Sequence, residues 1–245
     1  MTKSALVIGG SGGIAQALIQ QLSDSPSYTR IVVISRHCSP ESAESNSHLP
    51  SVEYIKLNSS DAQSVESQIN RWVGEGLRFS TIISTVGILH GDTIKPEKRL
   101  EDISIDTLLT YFQVNTVVNA VWLKFAPKIL DRKHAEFVVL SARVGSISDN
   151  HLGGWYGYRA SKAALNMLMK TAAAEYKRRM PNTRLVCYHP GTVDTALSKP
   201  FQANVKADKL FTPEFTAKQL LSFLPELSSD PNIHYIDWQG VTIPW

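Results

Sequence analysis

Short apolar runs alternate along the chain with longer stretches in which apolar residues recur every three or four positions. The runs fall at residues 5–8, 31–34, 52–57, 79–83, 137–140, 185–188 and 233–236. Most are rich in Val and Ile and almost uninterrupted, the pattern of strands covered on both faces. The stretches 13–22, 61–73, 104–130, 156–179 and 213–224 carry the helical period instead. Repeated strand–helix–strand order predicts an α/β fold, a doubly wound parallel sheet of about seven strands with helices on both faces.

Local punctuation agrees with these bounds. Asp61 is placed to cap the helix that carries Val65, Ile69 and Trp72 on one face, and Asp106 to cap the 104–130 helix. The basic run Lys177-Arg178-Arg179 suits a helix C-terminus, and Pro181-Asn182 stops that helix. Pro213-Glu214 opens another. Residues 39–51 are crowded with Ser, Pro, Asn and Glu and read as a surface loop. Residues 198–212 carry charge together with Phe201, Val205, Leu210 and Phe211, and read as a mobile flap with an apolar underside. No repeat or linker interrupts residues 1–245, which are expected to form a single domain.

Composition narrows the classes. With 43% hydrophobic and 19% charged residues, the chain is not intrinsically disordered. The balance of 25 Lys+Arg against 22 Asp+Glu leaves +3, too little to argue for a nucleic-acid partner. Cys38 and Cys187 give neither a disulfide framework nor a zinc site. The first residues pass straight into a short apolar run, with no signal-peptide pattern or membrane span. The expectation is a soluble cytoplasmic protein with no membrane or nucleic-acid partner.

The first predicted strand runs into Gly9-Gly10-Ser11-Gly12-Gly13-Ile14-Ala15, followed by a helix. Glycines there let backbone N–H groups approach a pyrophosphate, and the helix N-terminus favours its charge. Gly9, Ser11, Gly13 and Ile14 are the candidate contacts. A tight turn also needs glycine for its own sake. At the end of the second strand, a carboxylate would bond the adenine ribose and repel a 2′-phosphate. This chain has Ser35-Arg36 instead. The Arg36 fork can pair with a phosphate dianion, which favours NADP(H) over NAD; the alternative is a solvated surface arginine.

Tyr158 and Lys162 lie four apart on a predicted helix and so share a face. A phenol near its free pKa of about 10 is a poor acid at neutral pH. A neighbouring ammonium lowers that pKa and equips the phenol for proton transfer.

The spacing Gly9-x-x-x-Gly13-x-Ala15 with Tyr158-x-x-x-Lys162 resembles the short-chain dehydrogenases/reductases, with Ala15 at that family's last glycine. The resemblance covers almost the whole chain and implies a Rossmann-like fold. It implies that Tyr158 protonates a substrate carbonyl and that Lys162 binds the nicotinamide ribose and tunes Tyr158. Asn115, in Phe112-Gln113-Val114-Asn115, would kink its helix and hold a relay water; alternatively it is a locally bonded helix amide. In Pro190-Gly191-Thr192-Val193-Asp194-Thr195, the backbone at Val193 would hold the nicotinamide carboxamide and Thr195 would bond the cofactor, with Pro190 and Gly191 shaping the loop. Asn58 sits where the family often has an aspartate touching adenine. The family's Asn-Asn-Ala-Gly is here Ser84-Thr85-Val86-Gly87, so Gly87 still admits the cofactor while Ser84 must make different contacts.

One departure concerns the serine that polarises the carbonyl, three residues before a glycine. Counting back from Gly145 reaches Ala142. Ser141 is one residue early, and strand alternation points it to the other face. Ser146 follows the glycine and could reach in from the loop. A missing donor would remove up to ~4 kcal/mol of oxyanion stabilisation.

Gly145-Ser146-Ile147-Ser148-Asp149-Asn150, Gly153-Gly154 and the ending Asp237-Trp238-Gln239-Gly240 with Ile243-Pro244-Trp245 resemble the C-factor/sniffer-like carbonyl reductases more closely. Leu89, His90, Trp155, Phe201 and Phe211 are candidate pocket walls or ordinary packing. The reading is an NADPH-dependent reductase of a fairly apolar aldehyde or ketone. A dinucleotide-binding sensor with little turnover is the alternative. A nucleoside-based methyltransferase would leave the Tyr158–Lys162 pair unexplained. The family resemblance further implies a homodimer or homotetramer through residues 104–130 and 156–179, with Trp122 and Met169 facing a partner or the core.

Overall fold

The computed structural model describes residues 3–37, 50–229 and 232–245. In chain order the strands are β1 (Lys3–Ile8), β2 (Tyr28–Ser35), β3 (Ser51–Lys56), β4 (Thr81–Ser84), β5 (Ala135–Leu140), β6 (Thr183–His189), β7 (Thr192–Val193), β8 (Leu210–Phe211) and β9 (Ile233–Asp237). The helices are α1 (Gly13–Asp24), α2 (Ala62–Gly74), α3 (Ile105–Phe112), α4 (Val118–Phe125), α5 (Tyr156–Arg179) and α6 (Pro213–Phe223). Seven strands form one parallel sheet in the order β3-β2-β1-β4-β5-β6-β9, a Rossmann-like α/β arrangement. The order reverses between β1 and β4, so a crevice opens beyond their C-terminal ends.

The uninterrupted apolar runs are explained by burial on both faces. Along β1, Leu6 and Ile8 join the core under α2, α4 and α5, while Ala5 and Val7 pack with Ala15 and Ile19 of α1. On β5, Phe137 and Val139 face the first layer, and Val138 and Leu140 face the layer holding Ala217 and Leu220 of α6. Among the described residues no helix is long and apolar enough to cross a membrane.

Asp61 caps α2 as expected, accepting from the Gln63 and Ser64 N–H groups at 3.1 and 3.3 Å. Asp106 is not a cap. Ser104 occupies that position without a side-chain bond, and Asp106 lies in the first turn of α3. The expected 104–130 helix is divided: a π-helical segment, Gln113–Val117, separates α3 from α4, and a 3-10 turn, Ala126–Lys128, follows α4. Residues 38–49, most of the expected surface loop, and Cys38 lie outside the described residues. The 198–212 segment contains two single-turn 3-10 helices and ends as β8, which pairs in parallel with β7. Trp122 and Met169 are buried in the core rather than placed on a surface.

Candidate active site

Segments following β1, β4, β5 and β6 line one cleft of about 510 Å³. Gly9 has φ 92°, and a Cβ there would fall 2.8 Å from Thr85 Oγ1. The Thr85 hydroxyl stitches the turn by donating to the Ile8 and Gly9 carbonyls at 3.0 Å. Gly12 precedes α1 with no side-chain cap, and Gly13 and Ile14 face the cleft. The first N–H groups of α1 and its positive end are therefore open to an anion. Across the cleft, a Cβ on Gly87 would lie 3.3 Å from Lys162 Nζ and 3.4 Å from Asn115 Oδ1. An uncapped helix end beside glycine-only approaches fits a dinucleotide.

Tyr158 and Lys162 stand on successive turns of α5, both buried and both facing this cleft. Lys162 Nζ lies 5.8 Å from the Tyr158 ring centroid and donates to the Leu140 carbonyl at 2.8 Å. Burial pushes the lysine down to about 8. Burial also raises the Tyr158 phenol well above its ordinary value. The expected lowering by an adjacent ammonium is not found. Desolvation outweighs it, and the ammonium is held by a carbonyl rather than by the phenol. The phenol therefore carries its proton at neutral pH.

Asn115 lies in the π-helical segment and is fully buried. Its side chain is not bonded locally. Oδ1 accepts from the Ile88 N–H at 2.7 Å, while Nδ2 donates to the Ile88 carbonyl and to Ser161 Oγ, each at 3.0 Å. Its own carbonyl accepts from Asn119 Nδ2 at 2.9 Å. The widened turn thus clamps the loop after β4 to α5, a use of the π-bulge seen at functional sites.

Ala142 lines the cleft where the resemblance calls for serine. Ser141 also lines the cleft, but its hydroxyl is committed to α5, donating to Asn166 Oδ1 at 2.6 Å. Ser146 Oγ is buried, accepts from the Asp149 N–H at 3.1 Å and is not part of the cleft wall. Neither serine is brought to the position left by Ala142.

Pro190, Gly191, Val193 and Thr195 line the cleft. Gly191 has φ 76°, and a Cβ there would strike the Phe211 ring at 2.6 Å. The Ser84 hydroxyl is buried without a partner. Ser35 is buried at the end of β2, where its hydroxyl accepts from the His37 N–H at 3.3 Å. Ser11 and Arg36 are exposed. Asn58 is not on the main cleft; it borders a separate groove with Asp61, Gln68 and Arg71. Of the expected walls, Leu89, Trp155 and Phe201 line the cleft. His90 packs behind Phe201 with ring centroids 5.6 Å apart, and Phe211 instead stacks on Phe215.

Three site residues had no sequence expectation. His189 lines the cleft, and Arg143 lines it while paired to Asp149 at 3.1 Å and Asp237 at 3.0 Å. Glu97 is buried behind α5 and accepts from the Gly157 N–H at 3.2 Å. His189 adjoins Pro190-Gly191 and could have been found by extending that motif; nothing in its sequence neighbourhood marks Glu97.

Comparison with known proteins matches this geometry. A family model described as short chain dehydrogenase matches residues 3–206. The 1-hydroxy-2-glutathionyl-2-methyl-3-butene dehydrogenase of Rhodococcus sp. (strain AD45) is 24% identical over 242 residues, covering 99% of each chain. The carbonyl reductase Sniffer of D. melanogaster superposes with a TM-score of 0.84 at 19% identity, over 100% of each chain. An NADPH-bound carbonyl reductase from chicken fatty liver gives a TM-score of 0.83 at 21% identity, over 100% of this chain and 99% of that one.

Proposed function

The chain belongs to the short-chain dehydrogenase family, and from that premise we propose that it is an NADPH-dependent oxidoreductase reducing a fairly apolar aldehyde or ketone. The observation that carries this reading is the buried Tyr158–Lys162 pair facing the same cleft as the uncapped N-terminus of α1. When bound, the nicotinamide supplies a hydride to the carbonyl carbon. Tyr158, kept protonated by burial, gives its phenolic proton to the carbonyl oxygen. Lys162, anchored on the Leu140 carbonyl, faces the cofactor side beside Gly87 and would bind the nicotinamide ribose. Asn115 fixes the loop that carries Gly87.

Arg36 would pair with the 2′-phosphate, and the N–H groups of Gly13 and Ile14 with the pyrophosphate. The NADPH carried by the chicken carbonyl reductase supports this cofactor. Leu89, Val144, Trp155 and Phe201 give the substrate end an apolar wall. The protein acts in the cytoplasm as a homodimer or homotetramer. Ile105 and Leu109 of α3 and Met167 of α5 form its contact in place of Trp122 and Met169, because all three are exposed. A monomer mass by light scattering overturns that assembly.

The absence of serine at Ala142 favours the second reading, a dinucleotide-binding sensor with little turnover. The two separate in one experiment: NADPH oxidation over a panel of apolar aldehydes and ketones, with a parallel NADPH-binding titration. Turnover that falls by roughly 10²–10⁴ in Tyr158→Phe, with binding intact, establishes the reductase. Binding without turnover in the unmodified protein establishes the sensor.

A further inference from the structure

A reductase with alanine at position 142 still needs a hydrogen bond to the oxygen that becomes negative as hydride arrives. Several nearby hydroxyls and cations are committed elsewhere. Ser141 donates to Asn166, Ser198 donates to the Val193 carbonyl, and Lys162 to the Leu140 carbonyl. Arg143 is held by two carboxylates.

His189 differs. It ends β6, one residue beyond Tyr188, whose carbonyl accepts from the Ser141 N–H at 2.8 Å. The β5–β6 register, Leu140 opposite Tyr188, therefore sets His189 beside Ser141, the residue before Ala142. The ring lines the same cleft as Ala142 and Tyr158. Its Nδ1 is sealed from solvent with no hydrogen-bond partner. Burial, with the Arg143 guanidinium adding to it, pushes the imidazole down to about 4. The ring is thus neutral at pH 7 and carries one N–H.

We propose that His189 is a catalytic residue: its imidazole N–H donates to the substrate carbonyl oxygen and replaces the hydroxyl that position 142 lacks. The inference rests on the reductase reading. In the step, His189 keeps its proton, donating a hydrogen bond to the oxygen while Tyr158 transfers the proton and the carbon gains the hydride.

The test compares His189→Ala, Ala142→Ser and the double variant, reading kcat, KM and the NADPH dissociation constant. Loss of one oxyanion donor is worth roughly 10²–10³ in kcat. His189→Ala is expected to lower kcat by about 100-fold with NADPH affinity unchanged, and Ala142→Ser to restore most of that loss in the double variant. A merely structural histidine would not be rescued by a serine one strand away. His189→Phe, which fills the ring's place without an N–H donor, takes the same comparison if the alanine variant does not fold. Full kcat in His189→Ala, or a double variant as slow as the single, overturns the role of His189 and leaves the reductase reading standing. No turnover of any carbonyl by the unmodified protein overturns the reductase reading, and this role with it.

Discussion

The Trp155 N–H donates to the Glu97 carbonyl at 2.6 Å, and Trp155 is held left-handed at φ 53° and ψ 43°. Among the described residues it is the one non-glycine with positive φ. A bulky residue there stores roughly 1–2 kcal/mol of strain, so the surroundings must hold it. Glu97 does so twice, through its carbonyl to Trp155 and through its carboxylate to the Gly157 N–H. The result sets the indole 6.1 Å from the Tyr158 ring and 5.1 Å from Phe201, centroid to centroid.

Glu97→Ala should therefore act on both stability and catalysis. It leaves the buried Gly157 N–H unpaired, which costs about 1–3 kcal/mol. For a chain of this length each kcal/mol lowers the melting temperature by roughly 2–4 °C. Because Tyr158 is the next residue, kcat should fall too, while Glu97→Gln, which keeps an acceptor, should stay near the parent. Thermal melts and steady-state kinetics on both variants check this, and equal loss in the two would contradict it.

Lys162 sets a pH limit. Its ammonium, lowered to about 8 by burial, is present below that pH and lost above it. Reduction that relies on the charged lysine should therefore decline as pH rises through about 8, with no matching decline below. A pH profile of kcat/KM that stays flat from about 7 to about 9.5, on either side of that lowered value, would remove the charge from the mechanism.

The opposite end of the sheet holds a separate polar cluster. Glu136 and Arg184 are register partners across β5 and β6, each almost fully buried and directly bonded. Thr81 donates to Glu136 at 3.2 Å, and His134 Nε2 contacts it at 2.6 Å. Removing one member leaves a buried unpaired charge, worth about 3–5 kcal/mol. Glu136→Ala should lower the melting temperature by on the order of 10 °C, while NADPH affinity measured below that transition stays unchanged. A variant that melts like the parent would show the pair to be dispensable.

Much of the fold could be read from residue patterns because burial on both faces leaves continuous apolar runs, as at Phe137-Val138-Val139-Leu140. The helix ends at Asp61 and Pro213 were legible because capping is local chemistry. The π-helical segment was not, since it answers to Ile88 across the loop after β4 rather than to its own neighbours. The Asp106 cap failed because Ser104 already begins the helix. The contrary shift of Tyr158 was hidden because spacing places Lys162 beside it but says nothing about desolvation or about the Leu140 carbonyl that takes the ammonium. Ala142 was visible by counting from Gly145. That Ser141 and Ser146 are tied elsewhere required their partners, Asn166 and Asp149.

The proposed preference for NADPH rests on one exposed side chain. Arg36 follows directly on β2, where a carboxylate would select the free ribose hydroxyl. A guanidinium–phosphate hydrogen bond contributes about 1.5–3 kcal/mol, equal to roughly 10–150-fold in affinity. Arg36→Asp removes that contact and sets a negative charge against the 2′-phosphate. NADPH affinity should fall by at least tenfold, while NADH, which lacks that phosphate, should bind as well as before or better. Because Arg36 touches neither Tyr158 nor Lys162, kcat at saturating NADH should be preserved. Fluorescence titration of both cofactors against both proteins decides it: unchanged NADPH affinity in Arg36→Asp would make Arg36 a solvated surface residue and reopen the choice between the two nucleotides.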